Sequence, residues 1–129
     1  MTRYLLDTNI VIYILKNDTG VMNLISRYSG ALFFISIVTW IETLGGSFHH
    51  GKNIHELAHT LEVFYRIPIH EKIAILSANL IQSSALKKQK LRFQDTVIAA
   101  TAITENIPLI TNNPKDFRHF KGLKIISPN

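Results

Sequence analysis

Three of the nine acidic side chains in this sequence stand where a solvated helix face would not put them. Asp7 directly follows the apolar run Tyr4-Leu5-Leu6. Glu42 lies inside Trp40-Ile41-Glu42-Thr43-Leu44. Asp95 sits just ahead of the apolar stretch 97–103. Hard divalent ions such as Mg²⁺ or Mn²⁺ take oxygen ligands, usually a few carboxylates plus waters. Carboxylates gathered in one crevice also need a cation if they are to stay ionised together. A metal held this way activates a water and neutralises charge developing on a phosphoryl group. Each residue has a local reading as well: Asp7 as a helix N-cap, Glu42 as the partner of Thr39 in a capping box, and Asp95 as a complement to a helix dipole. The chemical case rests on the three together.

The elements that would position them alternate strand and helix. Residues 4–6 read as a short strand ending at Asp7, and residues 10–15 as a helix capped by Thr8 or Asn9. Asp18-Thr19-Gly20 breaks it, and 21–28 reads as a second helix. Residues 32–35 are short, apolar and aromatic, as a buried strand should be. Ser36 or Thr39 can cap the next helix, which runs to about residue 44. Apolar positions 54, 57, 58, 61 and 64 follow helical spacing. Ile67-Pro68-Ile69 reads as an edge strand, where proline is tolerated. Residues 71–86 read as a helix, and Asp95 opens another over 97–103. Strands at 108–111 and 123–126 flank the turn Asn112-Asn113-Pro114. Strands separated by helices imply a parallel sheet covered on both faces. The expected fold is a single α/β domain over residues 1–129, a three-layer α/β/α sandwich. Ligands of such sheets bind at the carboxyl edge, where Asp7 falls.

Composition narrows the function classes. Of 129 residues, 47% are hydrophobic and 18% charged, which is globular rather than disordered. No apolar run approaches the length of a membrane span, and Asp7 and Asn9 interrupt any signal-peptide core. The chain therefore reads as cytoplasmic, with no membrane partner. Cysteine is absent, which removes disulfides, thiolate metal sites and cysteine nucleophiles. The net charge of +5 suits an anionic partner. The cations cluster: Lys87, Lys88, Lys90 and Arg92 precede Asp95, while Lys115, Arg118, His119, Lys121 and Lys124 lie near the C-terminus. A basic rim of this kind would hold a phosphate backbone.

Four motifs in sequence order carry a resemblance. Leu5-Leu6-Asp7-Thr8-Asn9-Ile10, Ile35-Ser36-Ile37-Val38-Thr39-Trp40-Ile41-Glu42, Phe93-Gln94-Asp95-Thr96-Val97-Ile98-Ala99-Ala100 and Leu109-Ile110-Thr111-Asn112-Asn113-Pro114-Lys115-Asp116-Phe117 resemble the successive motifs of PIN-domain ribonucleases. They cover nearly the whole chain. In size it looks like the toxin of VapC-type toxin–antitoxin pairs. The resemblance implies a parallel α/β/α sandwich and Mg²⁺- or Mn²⁺-dependent cleavage of RNA. Asp7, Glu42 and Asp95 would form the acidic cluster, and Thr8, Asn9 and Thr111 its polar supports. The family also implies a homodimer and a cognate antitoxin. One departure stands out: many members carry a fourth acidic residue where this chain has Asn113. An asparagine offers a carbonyl oxygen without charge, so a second metal site would be weaker. Asp116 could replace it or could simply cap the following turn.

A competing motif runs through His55-Glu56-Leu57-Ala58-His59, which matches H-E-x-x-H. On a helix its two histidines share a face, as a zinc protease requires, with Glu56 as general base and Glu71 or His70 as third ligand. Against it, the longer form of the motif fails, with glutamate at 62 and tyrosine at 65. The histidines also fall to the polar side of the apolar stripe. A third reading, a non-catalytic RNA-binding or interaction module, keeps the basic patches but leaves the three carboxylates unexplained.

Overall fold

Asp7 alone separates the first strand from the first helix, and Ser36, which ends the second strand, passes directly into the helix after it. The computed structural model describes residues 2–46 and 51–127. In chain order it comprises β1 (Arg3–Leu6), α1 (Thr8–Leu15), α2 (Thr19–Ser26), β2 (Leu32–Ser36), α3 (Ile37–Gly45), α4 (Ile54–Thr60), β3 (Tyr65–Ile67), α5 (Glu71–Leu86), α6 (Phe93–Glu105), β4 (Leu109–Ile110) and β5 (Ile125–Ile126). Among the described residues, Leu61–Val63 and Pro114–Asp116 form 3₁₀ turns.

The strands order as β3-β2-β1-β4-β5, and every pairing is parallel. The chain first builds outward from β1 through β2 to β3. It then returns to the other side of β1 to lay down β4 and β5. The order reverses between β1 and β4, and such a switch opens a crevice at the carboxyl ends of the strands.

Side chains alternate across the sheet with period two. Leu5, Phe34 and Leu109 join one apolar cluster with Ile73 of α5 and Val97 and Ile98 of α6. Leu6, Ile35 and Ile110 join the other with Ile10 and Val11 of α1, Val21 and Leu24 of α2, and Leu57 of α4. Helix α3 contributes Val38 to the first cluster and Leu44 to the second. Two apolar layers on one sheet make the expected α/β/α sandwich.

Boundaries differ from the sequence reading where short polar residues decide them. The N-cap of α1 is Asp7, not Thr8 or Asn9, so the helix starts earlier. Asp18 accepts from the Val21 backbone N–H at 3.0 Å, moving the start of α2 to Thr19. Ser36 caps α3 by accepting from the Val38 N–H at 3.0 Å, which leaves Thr39 inside the helix and removes the Thr39–Glu42 capping box. The stripe from Ile54 tightens into a 3₁₀ turn after Thr60, with Ile54 itself 53% exposed. Edge strand β3 stops at Ile67, ahead of Pro68, and β4 and β5 keep only two residues each. No helix among the described residues is long and apolar enough to cross a membrane.

Candidate active site

The register of the sheet builds the centre of the site. Leu6 pairs with Ile110, so the next residues along β1 and β4, Asp7 and Thr111, emerge side by side at the carboxyl edge. The Asp7 backbone N–H donates to the Ile110 carbonyl at 3.0 Å, carrying the ladder one residue past the strand. Asp7 is 5% exposed. Its Oδ1 accepts from the Thr8 backbone N–H at 2.8 Å, and its Oδ2 accepts from Thr111 Oγ1 at 2.8 Å. The Asn113 backbone N–H donates to Thr111 Oγ1 at 3.0 Å, so the threonine proton is directed to the carboxylate.

Burial pushes the Asp7 carboxyl up to about 6. The two hydrogen bonds pull the other way, and the nearby charges of Asp95 and Glu42 raise it further. One buried carboxyl, already destabilised as an anion, thus faces two more across a cleft. Asp95, in the first turn of α6 and partly buried, is raised too, first by burial. Arg92 lowers it, the charges of Asp116 and Glu42 raise it, and His119 lowers it.

Glu42 projects from the second turn of α3. Its Oε1 accepts from Thr8 Oγ1 at 2.8 Å, and Thr8 Oγ1 lies 3.0 Å from Thr39 Oγ1. A carboxylate can only accept, so Thr8 spends its single proton on Glu42 and Thr39 must donate to Thr8. The resulting relay, Thr39 to Thr8 to Glu42, is buried at its Thr39 end and aims Glu42 into the cleft.

These residues line one cleft of about 230 Å³, together with Asn9, Arg92, Asn113 and Asp116. Thr111 lies behind it as a fully buried support of Asp7. The structure therefore gathers Asp7, Glu42 and Asp95 and also places Asp116 on the same wall, where its charge reaches Asp95. Ile12 and Gln94 line the cleft as well, and Thr39 supports it from behind. Gln94 adjoins Asp95 in the sequence, and Thr39 stands one turn before Glu42. Those offsets are the signals that could have pointed to them.

Among the described residues, no three His, Asp or Glu side chains close into a ready-made metal cage. The donor set nevertheless suits a hard divalent ion. It is all oxygen, it holds a nearly buried carboxyl whose ionised form a cation would stabilise, and it opens to solvent for the waters such ions retain.

The basic residues divide. Lys90, Arg92 and Lys115 line a neighbouring hollow that shares Arg92, Asp95 and Asp116 with the cleft, and Lys87 lines a second one beyond. Lys88 and Arg118 line none of the three.

The histidine motif resolves differently from the zinc reading. Asn53 caps α4, accepting from the Glu56 N–H at 2.8 Å and donating to Glu56 Oε1 at 2.8 Å. Glu56 is thus a capping partner, which explains the residue without any metal. His59 is 83% exposed and sits 3.5 Å from Glu62, while His70 pairs with Glu105 at 3.1 Å. The helix presents its histidines to solvent because Leu57 and Leu61 take the buried face.

The sequence and the fold have known relatives. The PIN domain family model matches residues 4–123. Ribonuclease VapC of Rickettsia bellii is 23% identical over 126 residues, covering 95% of this chain and 94% of the relative. Ribonuclease VapC1 of Methanocaldococcus jannaschii is 36% identical over 93 residues, 70% of this chain and 68% of the relative. Among solved structures, VapBC2 from Rickettsia felis bound to a DNA fragment from its promoter superposes with a TM-score of 0.84 at 25% identity, covering 98% of both chains.

Proposed function

Since the chain belongs to the PIN-domain family, we propose that it is a metal-dependent endoribonuclease that hydrolyses RNA phosphodiester bonds as the toxin of a toxin–antitoxin pair. The observation that carries this reading is the convergence of Asp7 from the end of β1, Glu42 from the second turn of α3 and Asp95 from the first turn of α6 on one cleft, with Arg92 on its rim. The ribonuclease names of the relatives and the toxin–antitoxin complexes among the structural neighbours support it.

Asp7, Glu42 and Asp95 would hold Mg²⁺ or Mn²⁺, with Asp116 the candidate for a further carboxylate in place of the uncharged Asn113. When bound, the ion supplies an activated water and neutralises charge developing on the phosphoryl group. The chain's own residues do the positioning. Thr111 and the Thr8 N–H fix both oxygens of Asp7. The Thr39–Thr8 relay sets the rotamer of Glu42. Arg92 offers a charged fork to the phosphate, a bidentate geometry that lysine lacks. Water attacks phosphorus, the bond from phosphorus to one bridging oxygen breaks, and that oxygen leaves with a proton.

An antitoxin partner belongs to the same reading, and the toxin–antitoxin complexes among the neighbours support it; an antitoxin seated over this cleft and a homodimer are parts of the proposal itself. A zinc protease has no support in the exposed histidines of α4, and a purely binding module leaves the Thr-braced carboxylates without a purpose.

The deciding experiment is RNA cleavage by metal-stripped protein, restored separately with Mg²⁺, Mn²⁺ or Zn²⁺, beside Asp7→Asn. Restoration by Mg²⁺ or Mn²⁺ and loss in the variant is the expected result. No cleavage under any metal would overturn the proposal.

A further inference from the structure

The cleft is electrically lopsided. Toward α1 it is walled by Asn9 and Ile12, neither of them charged, and among the described residues that line it Arg92 is the one cation. Past Asp95 the surface continues into two further hollows of about 180 and 300 Å³. The nearer one is lined by Lys90, Arg92 and Lys115, the farther by Lys87 and Lys121. The two basic segments, separate in sequence, thus meet along one path that begins at the carboxylates.

His119 and Phe120 line both hollows. Phe120 is buried, while His119 is exposed. The two rings lie 4.1 Å apart, centroid to centroid, inclined at 37°. The buried ring props the exposed one, so the imidazole offers its outer face where one hollow passes into the next. A backbone-tracking row of cations interleaved with an aromatic face is the combination that binds single-stranded nucleic acid.

We propose that these hollows hold a short run of single-stranded RNA on one side only of the bond to be cut, with His119 stacking a base between them. The inference rests on the ribonuclease reading, and it selects among the cations: Lys87, Lys90, Arg92, Lys115 and Lys121 face the path, whereas Lys88 and Arg118 do not.

The test is fluorescence anisotropy with a labelled single-stranded RNA hexamer, in EDTA so that nothing is cut, at pH 8. His119→Ala weakens binding about 5- to 150-fold, the loss of one stacked base. His119→Tyr restores it and His119→Lys does not. The slope of log affinity against log salt is about −3.5, roughly 0.7 for each of the path's cations, and falls by about 1.4 in magnitude in the Lys115→Ala/Lys121→Ala double variant. It stays unchanged in Lys88→Ala/Arg118→Ala. His119 is exposed, so its variants fold, and circular dichroism checks this. Unchanged binding by His119→Ala, or rescue by lysine but not tyrosine, overturns this inference alone, provided the wild type holds and cuts RNA. A wild type that neither holds nor cuts RNA overturns the nuclease reading with it.

Discussion

Thr111 donates its hydroxyl to Asp7 Oδ2 over 2.8 Å, joining residues 104 positions apart in the chain. The bond spans the switch between β1 and β4, so a carboxylate of the site is held by the same register that closes the sheet. Thr111→Val keeps the shape and removes the donor. It leaves Asp7 with one hydrogen bond fewer and the Asn113 N–H without its acceptor. A loss of about 1–3 kcal/mol is expected in urea melts at neutral pH, because a buried anion loses a charge-assisted bond. Cleavage should fall at least tenfold. An unaltered melt and rate would show that Thr111 does not brace Asp7.

Asp7→Asn separates activity from stability. At pH 7.5 the Asp7 carboxyl of the metal-free protein is ionised at an energetic cost, since its folded pKa of about 6 lies above the ordinary value of 3.8. Removing the charge should abolish RNA cleavage yet raise the melting temperature of the metal-free protein by several degrees. A variant that melts lower than wild type in EDTA would contradict the burial argument.

The pH dependence has a definite sign. A carboxyl whose folded pKa is raised binds protons more tightly folded than unfolded, so stability is greatest at acid pH and declines as pH climbs from about 4 to about 6. The Asp7 contribution is on the order of 3 kcal/mol at full effect. Melts of the metal-free protein at pH 4.5 and 7 should reveal the decline, and Asp7→Asn should flatten it. Partial cancellation by other groups is removed by taking the difference between the two proteins.

Divalent metal should reverse that decline. An ion that binds only the folded state stabilises in proportion to the logarithm of its concentration above its dissociation constant. Adding Mg²⁺ or Mn²⁺ at pH 7.5 should raise the melting temperature, and the rise should shrink at pH 5 as protons compete for Asp7. Asp7→Asn should lose most of the rise. A rise that is equal at both pH values would place the ion elsewhere.

Glu56→Gln tests the motif that the fold leaves aside. The side chain caps α4 through Asn53 Nδ2, and glutamine can still accept that bond. RNA cleavage should match wild type, with a stability change under about 1 kcal/mol. A large loss of cleavage would bring the histidine helix back into the mechanism.

The alternation of apolar runs was enough to read the layers, because Leu5, Phe34 and Leu109 differ from Leu6, Ile35 and Ile110 only by the strand period that sorts them to opposite faces. The acidic residues were legible for a similar reason, each standing where a strand or an apolar helix leaves no need for charge. Thr39 was read as a cap, since a threonine three residues before a glutamate serves either role in one dimension. Only the packing of α1 against α3 makes it the start of a relay to Glu42. The split among the cations was hidden as well. Arg118 and His119 are neighbours in the chain, yet only His119 lines the path beside Asp95.

The single-residue connection from β1 to α1 bears on how such a chain can vary in length. One residue added between Leu6 and Thr8 would turn the following helix by about 100° relative to the strand. It would also send the strand-end side chain to the opposite face. Loop length can therefore change around residue 88, where the chain is exposed at the surface. At Asp7, the spacing itself constrains the site as tightly as any side chain in it.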